Sequence, residues 1–378
     1  MNTNQRTLTT AEKLDWLRLS RSENVGPITF FRLLEHYGSA AAALRALPDL
    51  ARRGGRGKPI IVASITAVQQ EMADLEALGG RLVAHGEPDY PAPLAVLEDA
   101  PPLLSVLGHL AVLSRPVVAI VGARNASLTG RKLARKIASD LGRAGIVVAS
   151  GLARGIDAAA HEGALTTGTI AVNAGGVDIV YPPENGGLYQ SIITNGAVIS
   201  EIPLREHPQA RHFPRRNRIV SGVSLGVVVV EAAARSGSLI TARLAAEQGR
   251  ELFAVPGSPL DPRSEGPHKL LREGATLVEG ADDVIRELEQ MLRRPLSEPR
   301  GLPFVYAAPA MGDTLADETR LEAARATIIE ALGVTPVTVD EIIRECQLSP
   351  SVVSQILLEL ELAGRANRHS GNQVSLAM

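Results

Sequence analysis

From Pro116 onward the chain alternates short β-branched apolar runs with amphipathic helical segments, and this alternation constrains the fold more than any other feature. The runs are Val117 to Val121, Ile146 to Ala149, Thr169 to Val172, Ala197 to Ser200, Leu225 to Val230, Glu251 to Val255 and Thr276 to Val278. Continuous apolar strands separated by helices predict an α/β core whose parallel sheet is covered on both faces. Three strand-to-helix turns in that core join glycine to arginine: Gly122-Ala123-Arg124, Ser150-Gly151-Leu152-Ala153-Arg154-Gly155 and Arg235-Ser236-Gly237-Ser238. Ligands of such sheets gather at the carboxyl ends of the strands, where helix N-termini offer free N–H groups to anions. The pattern suggests phosphates held along a strand rather than one bound cofactor.

Known cofactor fingerprints do not fit. Gly122 is followed by Arg124 and Asn125 instead of a second glycine, the next glycine is Gly130, and Ser150 ends the second strand where an acid would bind ribose. No G-x-x-x-x-G-K-[ST] stands anywhere, so a P-loop is absent as well. An arginine at the tip of the first turn instead offers a planar fork to phosphate oxygens, with capping of a neighbouring helix as the plainer alternative. Asp157 and His161 lie four apart on the helix after the second turn, but two such groups do not make a metal site, and there is no HExxH, Cys/His cluster or nucleophile elbow. Asp157 reads as a structural acid at a helix N-terminus, and Glu231 stays open. No cofactor, metal or catalytic residue is expected.

The segment Arg211-His212-Phe213-Pro214-Arg215-Arg216-Asn217-Arg218 places one aromatic among cations in a chain that is only 3% aromatic. Stacking a base on Phe213 while guanidinium groups hold the backbone is the usual logic of single-strand binding. A core role for Phe213 is the alternative. Arg215, Arg216 and Arg218 point differently around a helix, so at least one is expected in an internal salt bridge. The formal net charge of −2 hides this local excess, since residues 205–218 carry Arg205, Arg211, Arg215, Arg216 and Arg218 against Glu206 alone. The last unit, from residue 317, holds more carboxylates than arginines, so nucleic acid is expected at the middle of the chain.

The rest of the 378 residues divides around the core. Residues 11 to about 47 predict two short helices joined by a hairpin at Asn24-Val25-Gly26-Pro27; a phosphate-holding helix-hairpin-helix is conceivable, but plain helical packing fits better beside Glu23. Pro88, Pro91, Pro93, Pro101 and Pro102 suggest a domain crossing, and Pro295, Pro299, Pro303 and Pro309 suggest a linker. The expected domains are 1–90 helical, 91–292 α/β, 293–316 linker and 317–378 winged helix. The third helix of that last unit is expected to expose Ser351, Ser354, Gln355 and Glu359 without any Lys or Arg, which favours a protein contact over DNA reading, with a purely packing role as a further alternative. A single cysteine, Cys346, the absence of a signal-peptide pattern at Asn2, Asn4, Gln5 and Arg6, and no apolar run near the roughly 20 residues of a membrane helix lead us to expect a soluble, cytoplasmic protein.

Taken in order, Val121-Gly122-Ala123-Arg124, Ser150 to Asp157 with Ala160-His161, Asp178 with Tyr181-Pro182, His212-Phe213-Pro214 with Arg216-Asn217-Arg218-Ile219, Glu231 with Arg235 to Thr241, and Val255-Pro256-Gly257 closely resemble the motifs of the DNA-processing protein A (DprA/Smf) family. The resemblance covers about residues 116–280, with Ala123 in place of a common serine and Arg154 in place of a common lysine. It implies an extended Rossmann-like domain flanked by a sterile-alpha-motif-like helical domain and a winged helix. It also implies a homodimer through the Rossmann-like domain that binds single-stranded DNA without a nucleotide cofactor and helps load the recombinase RecA during natural transformation. By motif, Arg124, Gly151, Arg154, Phe213, Arg216 and the Ser236-Gly237-Ser238 turn would line the DNA pocket. The competing class is a Rossmann-like nucleotide phosphoribohydrolase, in which a glycine turn works with a nearby glutamate such as Glu231.

Overall fold

The computed structural model describes residues 6–293, 318–369 and 371–377. These fall into two compact units, one drawn from Met1–Thr9 and Gln69–Arg294, the other from Thr10–Val68 and Pro295–Met378.

The second unit begins with three helices, α1 (Thr10–Ser20), α2 (Pro27–Tyr37) and α3 (Ala40–Arg53). The stretch expected to hold two helices thus has a second break. Gly38 closes α2 at a φ of 72°, a conformation that favours glycine, and the Ser39 side chain accepts the Ala42 N–H to start α3. Helix α4 (Ile65–Ala77) leads into the first unit.

That unit is a sheet of nine strands: β1 (Arg81–Ala84), β2 (Leu103–Gly108), β3 (Val117–Val121), β4 (Val147–Ser150), β5 (Thr169–Val172), β6 (Ala197–Ser200), β7 (Gly226–Val229), β8 (Glu251–Ala254) and β9 (Thr276–Leu277). Their order is β1-β2-β6-β5-β4-β3-β7-β8-β9. From β6 to β9 all neighbours are parallel, as the sequence predicts, while β1 pairs antiparallel with β2 and β2 antiparallel with β6. The expected boundary at residues 90 and 91 therefore falls inside the sheet-bearing unit. The prolines that suggested it lie in the β1–β2 connection, which also holds the short helix α5 (Ala92–Ala95).

Alternation along β3 shows why the sheet is sandwiched. Val117, Ala119 and Val121 enter one core with Ile219, Val220, Ala242 and Leu270, whereas Val118 and Ile120 enter the other with Ile137, Leu141, Ile156 and Val284. The first face is covered by α9 (His212–Gly222), α10 (Ser238–Glu247) and α11 (Glu265–Arg272). The second is covered by α6 (Leu128–Arg143), α7 (Ile156–Ala164) and α12 (Ala281–Arg293), and α8 (Gly186–Asn195) packs through Tyr189 and Ile192 in a smaller cluster. Chain direction across the sheet reverses between β3 and β7. This is a topological switch point, and the crevice beside it opens at the strands' carboxyl ends.

The chain closes in a winged helix: α13 (Glu318–Ala331), β10 (Val337–Thr338), α14 (Val339–Cys346), α15 (Pro350–Leu362), β11 (Ala366–His369) and β12 (Gln373–Leu376). Thr338 and Glu341 form a reciprocal capping box on α14, and Ser349 caps α15 ahead of Pro350. The third helix differs from expectation. Ser351 is exposed, Ser354 and Gln355 are half-buried, and Glu359 is 1% exposed and paired with Arg325 at 2.6 Å. The reason is packing within the unit: Leu358 and Leu362 join Phe30, Leu33, Leu47 and Leu50 in one core. A Cβ on Gly54 would meet the Glu359 carbonyl oxygen at 2.0 Å, so only glycine lets α3 and α15 approach this closely. The hairpin is engaged too, because the Asn24 amide donates to the Leu362 carbonyl. The expected linker at 293–316 lies almost wholly outside the described residues.

Candidate nucleic-acid interface

The first two arginine turns are built on each other. The Ile156 N–H, opening α7, donates to the Ala123 carbonyl at 3.2 Å. Gly155 has a φ of 77°, and a Cβ there would lie 2.2 Å from that carbonyl oxygen, so conformation and space both demand glycine. Asp157 folds back over the second turn. Its carboxylate accepts the Gly151 N–H at 3.2 Å and the Ala153 N–H at 3.4 Å, the structural role its position suggested. Burial raises its pKa above the usual carboxylate value, against the opposing effect of Arg216.

Into this framework α9 inserts Arg216. Its guanidinium passes where the Gly151 side chain would be, for a Cβ on Gly151 would lie 1.3 Å from Nη1. Arg216 is 8% exposed, and among the described residues its side chain makes no hydrogen bond or ion pair; its Nε is a buried donor without an acceptor. Burial lowers its pKa from the ordinary arginine value, Asp157 raises it and Arg124 lowers it further. A buried cation facing a second cation is costly unless an anion completes it.

The space in front of Arg216 is a cavity of about 250 Å³. Arg124, Arg154 and Arg216 line it together with Asn125, Gly151, Asn173, Tyr181 and Phe213, and no carboxylate belongs to its lining. Arg124 lies over the Phe213 ring, 5.4 Å from its centroid, and the Tyr181 ring is 5.8 Å from Phe213. The opposite wall is organised by Asn173, whose amide donates to the Gly176 and Ile179 carbonyls. Phosphate oxygens can meet the three guanidinium groups while a base plane meets Phe213 and Tyr181.

Other expected site residues stand elsewhere. Arg218 is turned away, paired with Glu201 and with Asp99 at 3.7 Å, which makes it the internal salt bridge anticipated among the α9 arginines. Arg215 is half-exposed, with Nε 3.5 Å from Glu201. Arg154 reaches the cavity but also pairs with Glu184. Ser236, Gly237 and Ser238 do not line this cavity; Asn217 on α9 donates to the Gly237 carbonyl, so the third turn braces the helix that carries Phe213 and Arg216. Glu231 accepts the Ser127 N–H at 2.8 Å and the Ser127 hydroxyl at 2.5 Å, which ties the end of β7 to the start of α6 outside the cavity. Asn125, Asn173 and Tyr181 were not anticipated as lining residues. The scarcity of aromatics, which marked Phe213, could also have marked Tyr181.

No three His, Cys, Asp or Glu side chains among the described residues cluster to hold a metal, and no described helix is long and apolar enough to cross a membrane. Residues 81–289 match the family profile of DNA recombination-mediator protein A, residues 10–73 that of a DprA-like N-terminal HHH domain, and residues 312–372 that of a DprA winged helix domain. The second match assigns the N-terminal hairpin, read above as plain helical packing, to a helix-hairpin-helix class. Protein Smf of Escherichia coli (strain K12) is 39% identical over 315 residues, 82% of this chain and 81% of that protein. DNA processing protein DprA of Streptococcus pneumoniae is 48% identical over 202 residues, 53% of this chain and 71% of that protein. The solved structure of Streptococcus pneumoniae DprA superimposes with a TM-score of 0.61 at 38% identity, covering 74% of this chain and 99% of that one. DprA from Helicobacter pylori, whose structure was described for its single-stranded DNA binding mode, gives a TM-score of 0.52 at 30% identity over 56% of this chain and 96% of that one. On this agreement of profile, sequence and fold, the chain belongs to the DNA recombination-mediator protein A (DprA/Smf) family.

Proposed function

We propose that this protein is a non-enzymatic mediator that binds single-stranded DNA in the Arg124–Phe213–Arg216 cavity. The observation that carries the reading is Arg216 itself: a buried guanidinium that makes no hydrogen bond or salt bridge among the described residues, with Asp157 acting on it only at longer range, held beside an aromatic ring and two further arginines in a cavity without carboxylates in its lining. Anion binding completes that group, and the Phe213 and Tyr181 rings take a base only from a strand whose bases are not stacked in a duplex. Membership of a recombination-mediator family and the single-strand binding of the Helicobacter pylori relative support this reading. In the cell the protein would act in the cytoplasm as a homodimer through its Rossmann-like domain, protect incoming DNA and help load RecA during natural transformation. A phosphoribohydrolase finds less support, because Glu231 is engaged with Ser127 and lies outside the cavity.

Fluorescence anisotropy with labelled single-stranded and duplex oligonucleotides over a salt series tests this. Tighter single-strand binding is expected, with Arg124→Ala flattening the salt slope by about 0.7, one phosphate contact's worth. Phe213→Ala should weaken binding by about 1–3 kcal/mol while leaving the fold intact. Equal affinity for both forms of DNA, or no binding at low salt, would overturn the proposal.

A further inference from the structure

A second groove runs beside the cavity, between α6 and α7. Leu128, Arg131, Arg135, Arg154, Ala158 and Glu162 are among its lining residues, and Arg154 lines both spaces. The cations of α6 differ along its length. Lys136 and Arg143 pair with Asp140 at the helix's far end, and Arg135 pairs with Glu162 across the groove. Arg131, at the near end and exposed, makes no side-chain hydrogen bond or ion pair among the described residues. Nor does it pair with Glu231, which is already engaged by Ser127 at the start of α6. Leu128 is 61% exposed and with Ala158 provides an apolar strip beside these charges. Exposed Lys132 beside it also makes no side-chain hydrogen bond or ion pair among the described residues, so what sets Arg131 apart is its place: it lines a groove that shares Arg154 with the cationic cavity.

We propose, building on the reading of the first cavity, that a single strand leaving that cavity passes over Arg154 into the α6–α7 groove, where Arg131 holds a further phosphate. Glu162 is the groove's counterweight. It neutralises Arg135 and so limits how strongly the exit path holds DNA. Arg135 would add a second contact once its pairing with Glu162 is broken.

The test compares oligothymidylates of about 6 and about 20 nucleotides, within and beyond the roughly 4–16 nucleotides that a compact single-strand site covers. Anisotropy is measured on the full chain across a salt series. Arg131→Ala should leave the short oligonucleotide unaffected and make the salt slope for the long one shallower by about 0.7, with Arg131→Glu weakening it further. Glu162→Gln should act in the opposite sense on the long oligonucleotide alone, an outcome that damaged folding would not give. Wild-type protein that binds neither length sinks the cavity reading and this extension together. Binding of both lengths with slopes unmoved by the three substitutions overturns the extension alone, as does a loss by Arg131→Ala that is equal for the two lengths.

Discussion

Buried arginines serve opposite purposes in the two units of this molecule. In the helical unit two have carboxylates: half-buried Arg325 meets Glu359, and Arg368 meets Glu361 at 2.7 Å, with both side chains of the latter pair 3% exposed. In the sheet unit Arg216 is as deeply placed yet has no hydrogen-bond or ion-pair partner among the described residues. Even within α9 the contrast holds, because Arg218, two residues further on, is paired with Glu201 and Asp99. A paired buried charge organises the fold, whereas an unpaired one stores an unmet demand that a ligand can satisfy.

The largest test of that contrast is Glu361→Ala. It removes the carboxylate of Arg368 and also the acceptor of the Thr29 hydroxyl, so denaturant unfolding should show a loss of about 3–5 kcal/mol in the helical unit. A loss below about 1 kcal/mol would mean the pair does not organise that unit. Arg216→Met should do the reverse: DNA binding falls by about 1.5–3 kcal/mol, the worth of a charge-assisted contact, while the melting temperature holds or rises. A melting temperature that drops as for Glu361→Ala would erase the distinction.

Gly151→Ala sharpens the comparison by moving the guanidinium without removing it. The new methyl group displaces Arg216, so we expect a stability cost of about 1–3 kcal/mol and weaker DNA binding; in the Gly151→Ala/Arg216→Met double variant the stability cost is relieved, while DNA binding is no weaker than with Arg216→Met alone. Additive effects in the double variant would show that the two sites do not interact.

The smallest effect per step is a pH dependence. The Thr169 hydroxyl donates to the Val148 carbonyl at 2.6 Å, so His161 Nδ1 must donate to Thr169, and Nε2 is left a buried acceptor without a partner. Burial and the nearby Arg216 push the His161 pKa down to about 3. Because the folded value lies below the unfolded one near 6.5, the unfolded chain binds the proton first. Stability is therefore lost as pH falls from about 6.5 toward 3, by about 1.4 kcal/mol per pH unit. Asp157, whose pKa burial raises, acts in the opposite sense, so the informative quantity is the difference between wild type and His161→Gln. Melting curves that stay parallel for the two proteins below pH 6 would refute the assignment.

The parallel core was legible because period and length agree. Each of β3 to β8 is a short apolar run closed by a turn, and β-branched runs between helices have few other solutions. The antiparallel β1–β2 pair was missed because four-residue β1 has no pattern of its own and the prolines after it resemble a boundary. Phe213 and Arg124 were legible by composition and turn position. Which α9 arginine faces the cavity was not legible from local pattern, although the family motifs pointed to Arg216, since it depends on Glu201 and Asp99, which come from other parts of the sheet unit and claim Arg218. The third turn was expected at the cavity but proves to support it through Asn217.

The sequence by itself determined the secondary-structure alternation, the glycine turns at the strand ends and the concentration of arginine around Phe213, because these depend on local conformational preference and hydrophobic period. Only the tertiary structure decided that Gly151 is glycine to let Arg216 through, that Glu359 and Glu361 face inward, and that the hairpin packs against α15. Those outcomes rest on close approaches and charge pairings between residues far apart in the chain. A charge's role is set by whether a counter-charge reaches it, and no local pattern records that distance.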